Sequence, residues 1–599
     1  MRNQRAVRII GIIASALFIP FLYFLTELYN YKTAALFFRF VKLHPGSALL
    51  GVLIVGAVCA FFALAFRRMW VGALCGGIFF QLVAIIHFLK LALNGDPFVP
   101  WDITMAGNMG ELLSFVKVDF PWWGWLMPCI LILYIVFLWY CNIRLPEGIW
   151  YRVAGCVALP VLLVGFLQGG TENFEHFGMT YMDAALQSSN YRANGFVGAF
   201  YLNIATMNVQ EPADYTEENV LKAMGTEQET EGKTPDVVVI LCESFWDIRK
   251  LQGTTFSKDP LTLYDALCTR ENAYSGTIYS TAIGGGTVRT EFGVLTGLSS
   301  EYLPTGASPY IYINKEVPTH VSYFKSQGYD TVAVHPYDKK FYTRAQGYPY
   351  IGFDAFYGQE EILEMVDVTY QRGYISDDSF VDALIAQLEE HKDSPTFLWG
   401  ISMENHQTYH PLQETPEIFV QNPALSKDLV DTVTTYTQGV YHSALALDKL
   451  VEYIDKREKD TLLVFFGDHL PTLGANYAAY KATGMFEDAA PEDTETAKTV
   501  YGTPFVIYAN YDLDTTYQKT GIEISDYNLL ALASDIGGTA KSPFINWQRK
   551  QMATLPYYNT RLNIPTTEKV QMFWRQHGLL TYDRLIGGQY SLSLEEDKW

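Results

Sequence analysis

Five apolar runs fill most of the first 170 residues, near Val7–Leu28, Ser47–Phe66, Met69–Leu93, Trp122–Ile143 and Trp150–Leu167. A bilayer core of roughly 30 Å takes about 20 mostly apolar residues per helix, and each run is close to that length. Several have Trp or Tyr near their ends, where an amphipathic ring sits at the headgroups. The first run is too long and too aromatic for a cleaved signal peptide, so it is expected to remain as a helix. Glu27 and His87 fall near helix ends and read as groups that snorkel to the interface.

Basic residues in short loops set the orientation. Arg2, Arg5 and Arg8, then Arg67 and Arg68, then Arg144 and Arg152 all fall on one side, against Lys32, Arg39, Lys42 and Lys117 on the other. The richer side is expected to be cytoplasmic, and an odd number of spans places everything after the fifth helix outside the cell membrane. Residues 1–170 hold twelve basic and six acidic side chains, so the formal charge of −21 becomes −27 for residues 171–599. Nothing in that acidic part supplies a basic stripe for a nucleic-acid backbone, which excludes a general nucleic-acid binder. The acidic excess itself reads as solubility.

Five of the seven cysteines lie in or beside the apolar runs, leaving Cys242 and Cys268 for the exported part. No disulfide framework is visible, although a Cys242–Cys268 bridge stays open. So few cysteines outside the membrane suit a Gram-positive bacterium.

Residues 171–234 read as a linker with some helix, rich in acids such as Glu227, Glu229 and Glu231. Beyond them, short β-branched runs at Val237–Leu241, Thr331–Val334, Thr396–Ser402, Thr461–Phe466 and Pro504–Tyr508 alternate with helical patterns at Pro318–Gln327, Asp378–His391 and Thr432–Arg457. Continuous apolar strands with helices between them predict an α/β domain with a mostly parallel, buried sheet over 235–560, followed by a C-terminal extension over 561–599. In such sheets chemistry gathers beyond the carboxyl ends of the strands. Four strand ends there present Glu243, His335, Asn405-His406 and Asp468-His469.

Hard carboxylate oxygens with an imidazole suit a divalent metal that acts on phosphate, and Glu243, Asp468 and His469 supply that set. A second signal is Gly284-Gly285-Gly286-Thr287, just where a helical pattern begins. A hydroxyl at a helix amino terminus beside a cation has two reasons to ionise, which makes Thr287 a candidate nucleophile. The ordinary alternative is a Gly-rich turn with Thr287 or Thr290 as an N-cap. No Gly-Lys-Ser/Thr follows, so the segment is not a Walker loop.

Glu243-Ser244-Phe245, Gly286-Thr287 with Glu291 four residues on, Asn405-His406 and Gly467-Asp468-His469, behind five apolar runs, together resemble the lipoteichoic acid synthase family, a sulfatase-like branch of the alkaline phosphatase superfamily. The resemblance implies a five-helix transmembrane domain over 1–170 and an extracellular sulfatase-like α/β domain. It implies that Glu243, Thr287, Asp468 and His469 bind one divalent ion, Mn2+ before Mg2+ or Zn2+, with Thr287 also the nucleophile. His335, Tyr342 and Arg344 match the family's substrate strip, where Arg344 is expected to grip phosphate oxygens bidentately. His406 is expected to line the pocket and carry a proton. The implied donor is phosphatidylglycerol, and the implied acceptor is a glycolipid or a growing polyol-phosphate polymer. Tyr337, Tyr342 and Leu473 depart from the family's pattern, all in the substrate pocket, with Thr472 beside Leu473. The rivals are a phosphoethanolamine transferase, whose exported domain is expected to be cysteine-stapled, and a non-catalytic scaffold that binds envelope polymer. A true sulfatase lacks support because no Cys/Ser-x-Pro-x-Arg signature surrounds Thr287.

Overall fold

The structure is a computed structural model that describes residues 2–94, 97–103, 121–180, 187–207, 209–304, 308–487, 490–513 and 515–594. Lys117, counted above for orientation, lies outside them. Two compact units emerge, residues 1–209 and residues 210–303 with 308–599.

In the first unit the apolar runs form helices α1 (Arg2–Tyr31), α2 (Pro45–Phe66), α3 (Met69–Asn94), α4 (Trp122–Cys141) and α5 (Ile149–Gln168). All five are long and apolar enough to cross a membrane. Their faces are largely apolar all round, as helices in lipid require. The reading of Glu27 and His87 as snorkelling groups is corrected, since both are fully buried. The chain after α5 folds back as a short apolar helix, Phe196–Ala205, and Glu27 caps it by accepting the amides of Phe196 at 2.8 Å and Val197 at 3.1 Å. His87 packs between the rings of Tyr191 and Phe196 and makes a 3.3 Å hydrogen bond with Asn30 Oδ1. Burial with local partners has replaced the path to the interface.

The second unit is built on eight strands, β1 (Asp236–Cys242), β2 (Ala273–Tyr279), β3 (Asp330–Val334), β4 (Ala355–Tyr357), β5 (Thr396–Ile401), β6 (Thr461–Gly467), β7 (Gly502–Ala509) and β8 (Ile522–Ser525), in the order β8-β2-β7-β6-β1-β5-β3-β4. The five strands expected from the sequence are present, each end within two residues. β6, β1, β5, β3 and β4 run parallel, whereas β7 is antiparallel to both β6 and β2. β1 is central and buried at every position, because helices cover both faces of a parallel sheet.

Helices α6 (Thr287–Thr296), α7 (Asp377–Glu390) and α8 (Lys427–Asp455) position the site. Ser426 starts α8 by accepting the Leu429 amide. Its buried stripe of Val433, Tyr436, Val440, Leu447, Val451 and Ile454, with Ala444 filling the gap after Val440, keeps the three-to-four residue spacing of one helical face. Each such side chain contributes about 1.5–3 kcal/mol when fully buried, and the helix ties down the loop after β5, with Thr435 Oγ1 donating to the His410 carbonyl at 2.9 Å and Gln438 Oε1 accepting the Glu417 amide at 2.9 Å. Cys242 and Cys268 are both free thiols, so the open bridge does not form.

Candidate active site

Three parallel neighbours, β6, β1 and β5, end side by side, and the residues that follow them meet. Gly467 closes β6 where a Cβ would come within 1.9 Å of the Phe245 carbonyl, so only glycine lets the turn after β1 cross there. Glu243 follows β1 and is anchored from its own backbone, its amide donating to Ser402 Oγ at 3.0 Å. Ser244 takes a left-handed φ of 55° and uses both its donors, the amide to Asp468 Oδ1 at 2.7 Å and the hydroxyl to Glu243 Oε1 at 2.8 Å.

Glu243, Asp468 and His469 each offer one ligand atom, and these atoms lie within 4.8 Å of one another. The three side chains are buried. His469 Nδ1 lies 3.1 Å from the Leu470 carbonyl, which fixes the proton there and leaves Nε2 as a lone pair facing Asp468 Oδ2 at 3.2 Å. Asp468 Oδ2 has no hydrogen-bond partner. A buried, unpaired carboxylate oxygen beside an imidazole lone pair and a second carboxylate is the donor set of a hard divalent cation, so the residues fit the ion.

The electrostatics agree. Burial opposes ionisation of Glu243, but the neighbouring His406 and His469 and the Ser244 and Thr287 hydroxyls outweigh it and hold its carboxyl below the ordinary carboxylate range. Asp468 bears the remaining cost, with burial and the Glu243 charge pushing it up to about 7.

Thr287 opens α6, with its Oγ1 3.2 Å from Glu243 Oε2 and 3.5 Å from His469 Nε2. The N-cap is Gly286, which makes no side-chain cap bond, and Gly284, Gly285 and Gly286 all have positive φ. The Thr287 hydroxyl is therefore not spent as a cap. Thr290 is not a cap either, since its hydroxyl donates to the Asp468 carbonyl at 3.0 Å. Gln407 straps the glycine loop by donating to the Gly284 carbonyl at 3.2 Å while accepting from Thr472 Oγ1 at 2.6 Å. Leu473 turns fully into the core, so the hydroxyl on that side of the loop comes from Thr472.

Around this centre stand the other expected residues. His335 follows β3, is buried, and is oriented by the Ile401 carbonyl 3.1 Å from its Nδ1. Burial, with the Arg344 charge nearby, pushes its pKa well below the usual range, so it is a neutral ring. Tyr342 has a φ of 56°, and the Arg344 guanidinium lies 5.1 Å from its ring centroid. Burial raises the Tyr342 hydroxyl to about 12, against the opposing pull of Arg344. His406 sits after β5, its Nδ1 2.7 Å from the Gln407 carbonyl.

The expected bidentate grip of Arg344 on phosphate needs correction. Its Nε and Nη2 both pair with Glu291, and Nη1 alone has no partner. Glu291 is the buried partner to which the sequence gives no role of its own. The available signal was its place four residues after Thr287, on the same face of α6.

The Sulfatase family profile matches residues 235–536. A Rhizobium meliloti (strain 1021) protein named for cyclic beta-1,2-glucan modification is 30% identical over 447 residues, 71% of this chain and 67% of the relative. The lipoteichoic acid synthase of Staphylococcus saprophyticus is 22% identical over 529 residues, 79% of this chain and 76% of the relative. Among solved structures, Streptococcus pyogenes phosphoglycerol transferase GacH in complex with sn-glycerol-1-phosphate superposes with a TM-score of 0.54 at 20% identity, over 65% of this chain and 98% of that one.

Proposed function

The chain belongs to the sulfatase family, and on that premise we propose that it is a membrane-bound phosphoglycerol transferase whose nucleophile is Thr287. The observation that carries this reading is the Thr287 hydroxyl, uncapped at the start of a buried helix and within 3.2 Å of Glu243 and 3.5 Å of His469. Such a hydroxyl suits attack on a phosphorus atom, and the five membrane-length helices suit a donor that never leaves the bilayer.

In the proposed reaction Thr287 Oγ1 attacks the phosphodiester of phosphatidylglycerol, diacylglycerol leaves, and glycerophosphate stays on the threonine. An acceptor hydroxyl then attacks that phosphorus and frees Thr287. Glu243, Asp468, His469 and Thr287 would hold a divalent ion, manganese by resemblance, which would supply charge neutralisation at Thr287 Oγ1 and the phosphoryl oxygens. Arg344 Nη1 holds one phosphoryl oxygen, and the neutral His335 and the Tyr342 ring shape the pocket for the glycerol end. His406 gives a proton to the leaving oxygen in the first step and takes one from the acceptor in the second. The sulfatase unit is on the outer face of the cell membrane, by the odd number of spans.

For the acceptor, the name of the relative at 30% identity favours a sugar hydroxyl of a glucan over the end of a polyol-phosphate polymer. Relatives from both Rhizobium and Staphylococcus remove the reason to restrict the envelope to a Gram-positive one. The test is mass spectrometry of the full-length protein after incubation with phosphatidylglycerol and manganese. A glycerophosphate adduct on Thr287 supports the scheme, and turnover unchanged in Thr287→Ala sinks it.

A further inference from the structure

Arg372 and Tyr374, which the scheme above does not use, belong to a small hairpin formed by Tyr370–Gln371 and Tyr374–Ile375. Its two-residue turn is Arg372-Gly373, with φ values of 53° and 91°. Positive φ at both positions is the turn type that favours Asn-Gly or Gly-Gly, so an arginine at the first position is held there against its backbone preference.

The side chain supplies the reason. Nη1 of Arg372 donates to the Glu404 carbonyl at 3.3 Å, and Nη2 donates to the carbonyls of His406 at 2.5 Å and Thr408 at 3.1 Å. Its guanidinium lies 5.0 Å from the centroid of the Tyr409 ring, whose hydroxyl returns to the Asn405 carbonyl at 3.0 Å. One planar cation therefore holds three carbonyls of the loop that presents His406. Tyr374 braces the same group, its hydroxyl donating to the Gln407 carbonyl at 3.4 Å and lying 3.3 Å from His406 Nδ1, with its ring edge-on to the imidazole at 5.8 Å. Since Nδ1 donates to the Gln407 carbonyl, Nε2 is the nitrogen free to exchange a proton.

We infer that Arg372, together with Tyr374, is the positioning residue that fixes the His406 imidazole in the place and tautomer from which Nε2 carries the reaction's proton. This rests on the phosphoglycerol-transfer reading. The protons balance across the cycle. In the first step the Thr287 alkoxide forms the new P–O bond, the P–O bond to diacylglycerol breaks, and His406 Nε2–H protonates the departing oxygen. In the second, neutral Nε2 takes the acceptor's proton as its oxygen bonds to phosphorus, and Thr287 leaves as the alkoxide. Arg372 touches neither substrate nor reacting atom.

The test compares two donors on the full-length enzyme in detergent with manganese. Phosphatidylglycerol needs a proton on its leaving oxygen, whereas the p-nitrophenyl ester of glycerophosphate expels a stable anion and needs none. Arg372→Ala is expected to lower kcat on phosphatidylglycerol about tenfold or more with KM within about twofold, and to leave the first-turnover burst of p-nitrophenol, which precedes the step that takes the acceptor's proton, within about threefold in rate. In a His406→Ala background it is expected to cost nothing further, because the two act as one unit. Equal losses on both donors, or an additive loss in the double variant, overturn the inference and make Arg372 a brace for the fold. Should Arg372→Ala fail to fold, Arg372→Lys carries the same comparison, since one ammonium cannot hold three carbonyls in a plane. Tyr374→Phe is expected to shift the pH profile of phosphatidylglycerol turnover with manganese affinity unchanged; an unmoved profile counts against the inference. If the unaltered enzyme cleaves the aryl ester but never phosphatidylglycerol, the donor assignment fails and this inference with it.

Discussion

Glu291 and Arg344 form a fully buried ion pair, Nε and Nη2 of the arginine reaching Glu291 Oε2 at 2.9 and 2.8 Å, and it ties the helix that starts with Thr287 to the substrate strip. Tyr310 and Tyr348 donate to the other carboxylate oxygen at 2.8 and 2.7 Å, so Glu291 has a partner for each lone pair that matters. The Glu291 charge outweighs burial and keeps Arg344 firmly protonated. Only Nη1 is left over, which converts a residue expected to clamp phosphate at two points into one that offers a single, rigidly aimed donor. Because Glu291 and Thr287 share one short helix, any displacement of Arg344 is felt at Thr287.

Breaking this pair from either side is expected to have different outcomes. Glu291→Ala strands a buried cation and two tyrosine hydroxyls, and loss of one partner of a buried pair costs about 3–5 kcal/mol. A large fall in melting temperature with loss of activity is expected. Arg344→Lys keeps a charge near Glu291 but removes Nη1, so kcat/KM should fall about a hundredfold with a much smaller thermal shift. Paired melting curves and initial rates check both, and an active, stable Glu291→Ala protein would contradict the account.

Thr287 faces a sharper requirement. Thr287→Ser keeps a hydroxyl at the first position of α6, so adduct formation should persist, slowed by the greater rotamer freedom of serine. Thr287→Ala should abolish the adduct while leaving the fold intact, because this hydroxyl caps nothing. Intact-mass measurement after phosphatidylglycerol and manganese distinguishes the two, and an adduct on the Ala variant would place the nucleophile elsewhere.

The ion's effect should depend on pH with a definite sign. Asp468 is raised to about 7 in the folded protein, above its ordinary value, so its contribution to stability is greatest at low pH and is lost as pH rises towards 7. Divalent ion binding needs the carboxylate and relieves the repulsion from Glu243, so it restores most where most was lost. The rise in melting temperature caused by manganese over EDTA should be larger at about pH 7.5 than at about pH 5.5, and binding near pH 6 should release protons in calorimetry. A manganese effect that is flat across this range would remove Asp468 from the ligand set.

Much of this was legible in the sequence for a physical reason. Strands buried on both faces, such as β1 and β6, must be continuous apolar runs, and Glu243 and Asp468-His469 stand out because each ends such a run. β2 escaped because its sequence, AYSGTIY, has Ser275 and Gly276 at its centre, and Gly276 is needed where β8 comes within 1.8 Å of a would-be Cβ. Partner choice was equally invisible. Arg344 as a residue type fits phosphate or carboxylate, and only the fold brings Glu291 to it. Arg372 gave no signal at all, since its contacts are to backbone carbonyls, which every sequence has.

Glu27 offers a last prediction, within the membrane unit. Its two carboxylate oxygens accept the Phe196 and Val197 amides, the first donors of the short helix Phe196–Ala205, and it is completely buried. Helix amino termini leave such donors unsatisfied unless a side chain reaches them, and in an apolar surrounding no water stands in. Glu27→Leu keeps bulk but leaves two buried donors unpaired, at about 1–3 kcal/mol each. Glu27→Gln retains one acceptor oxygen and loses the charge that favours a helix amino terminus. Melting in detergent should therefore rank the unaltered protein above Glu27→Gln, and Glu27→Gln above Glu27→Leu. Were Glu27 an interfacial, water-exposed group, all three would melt together.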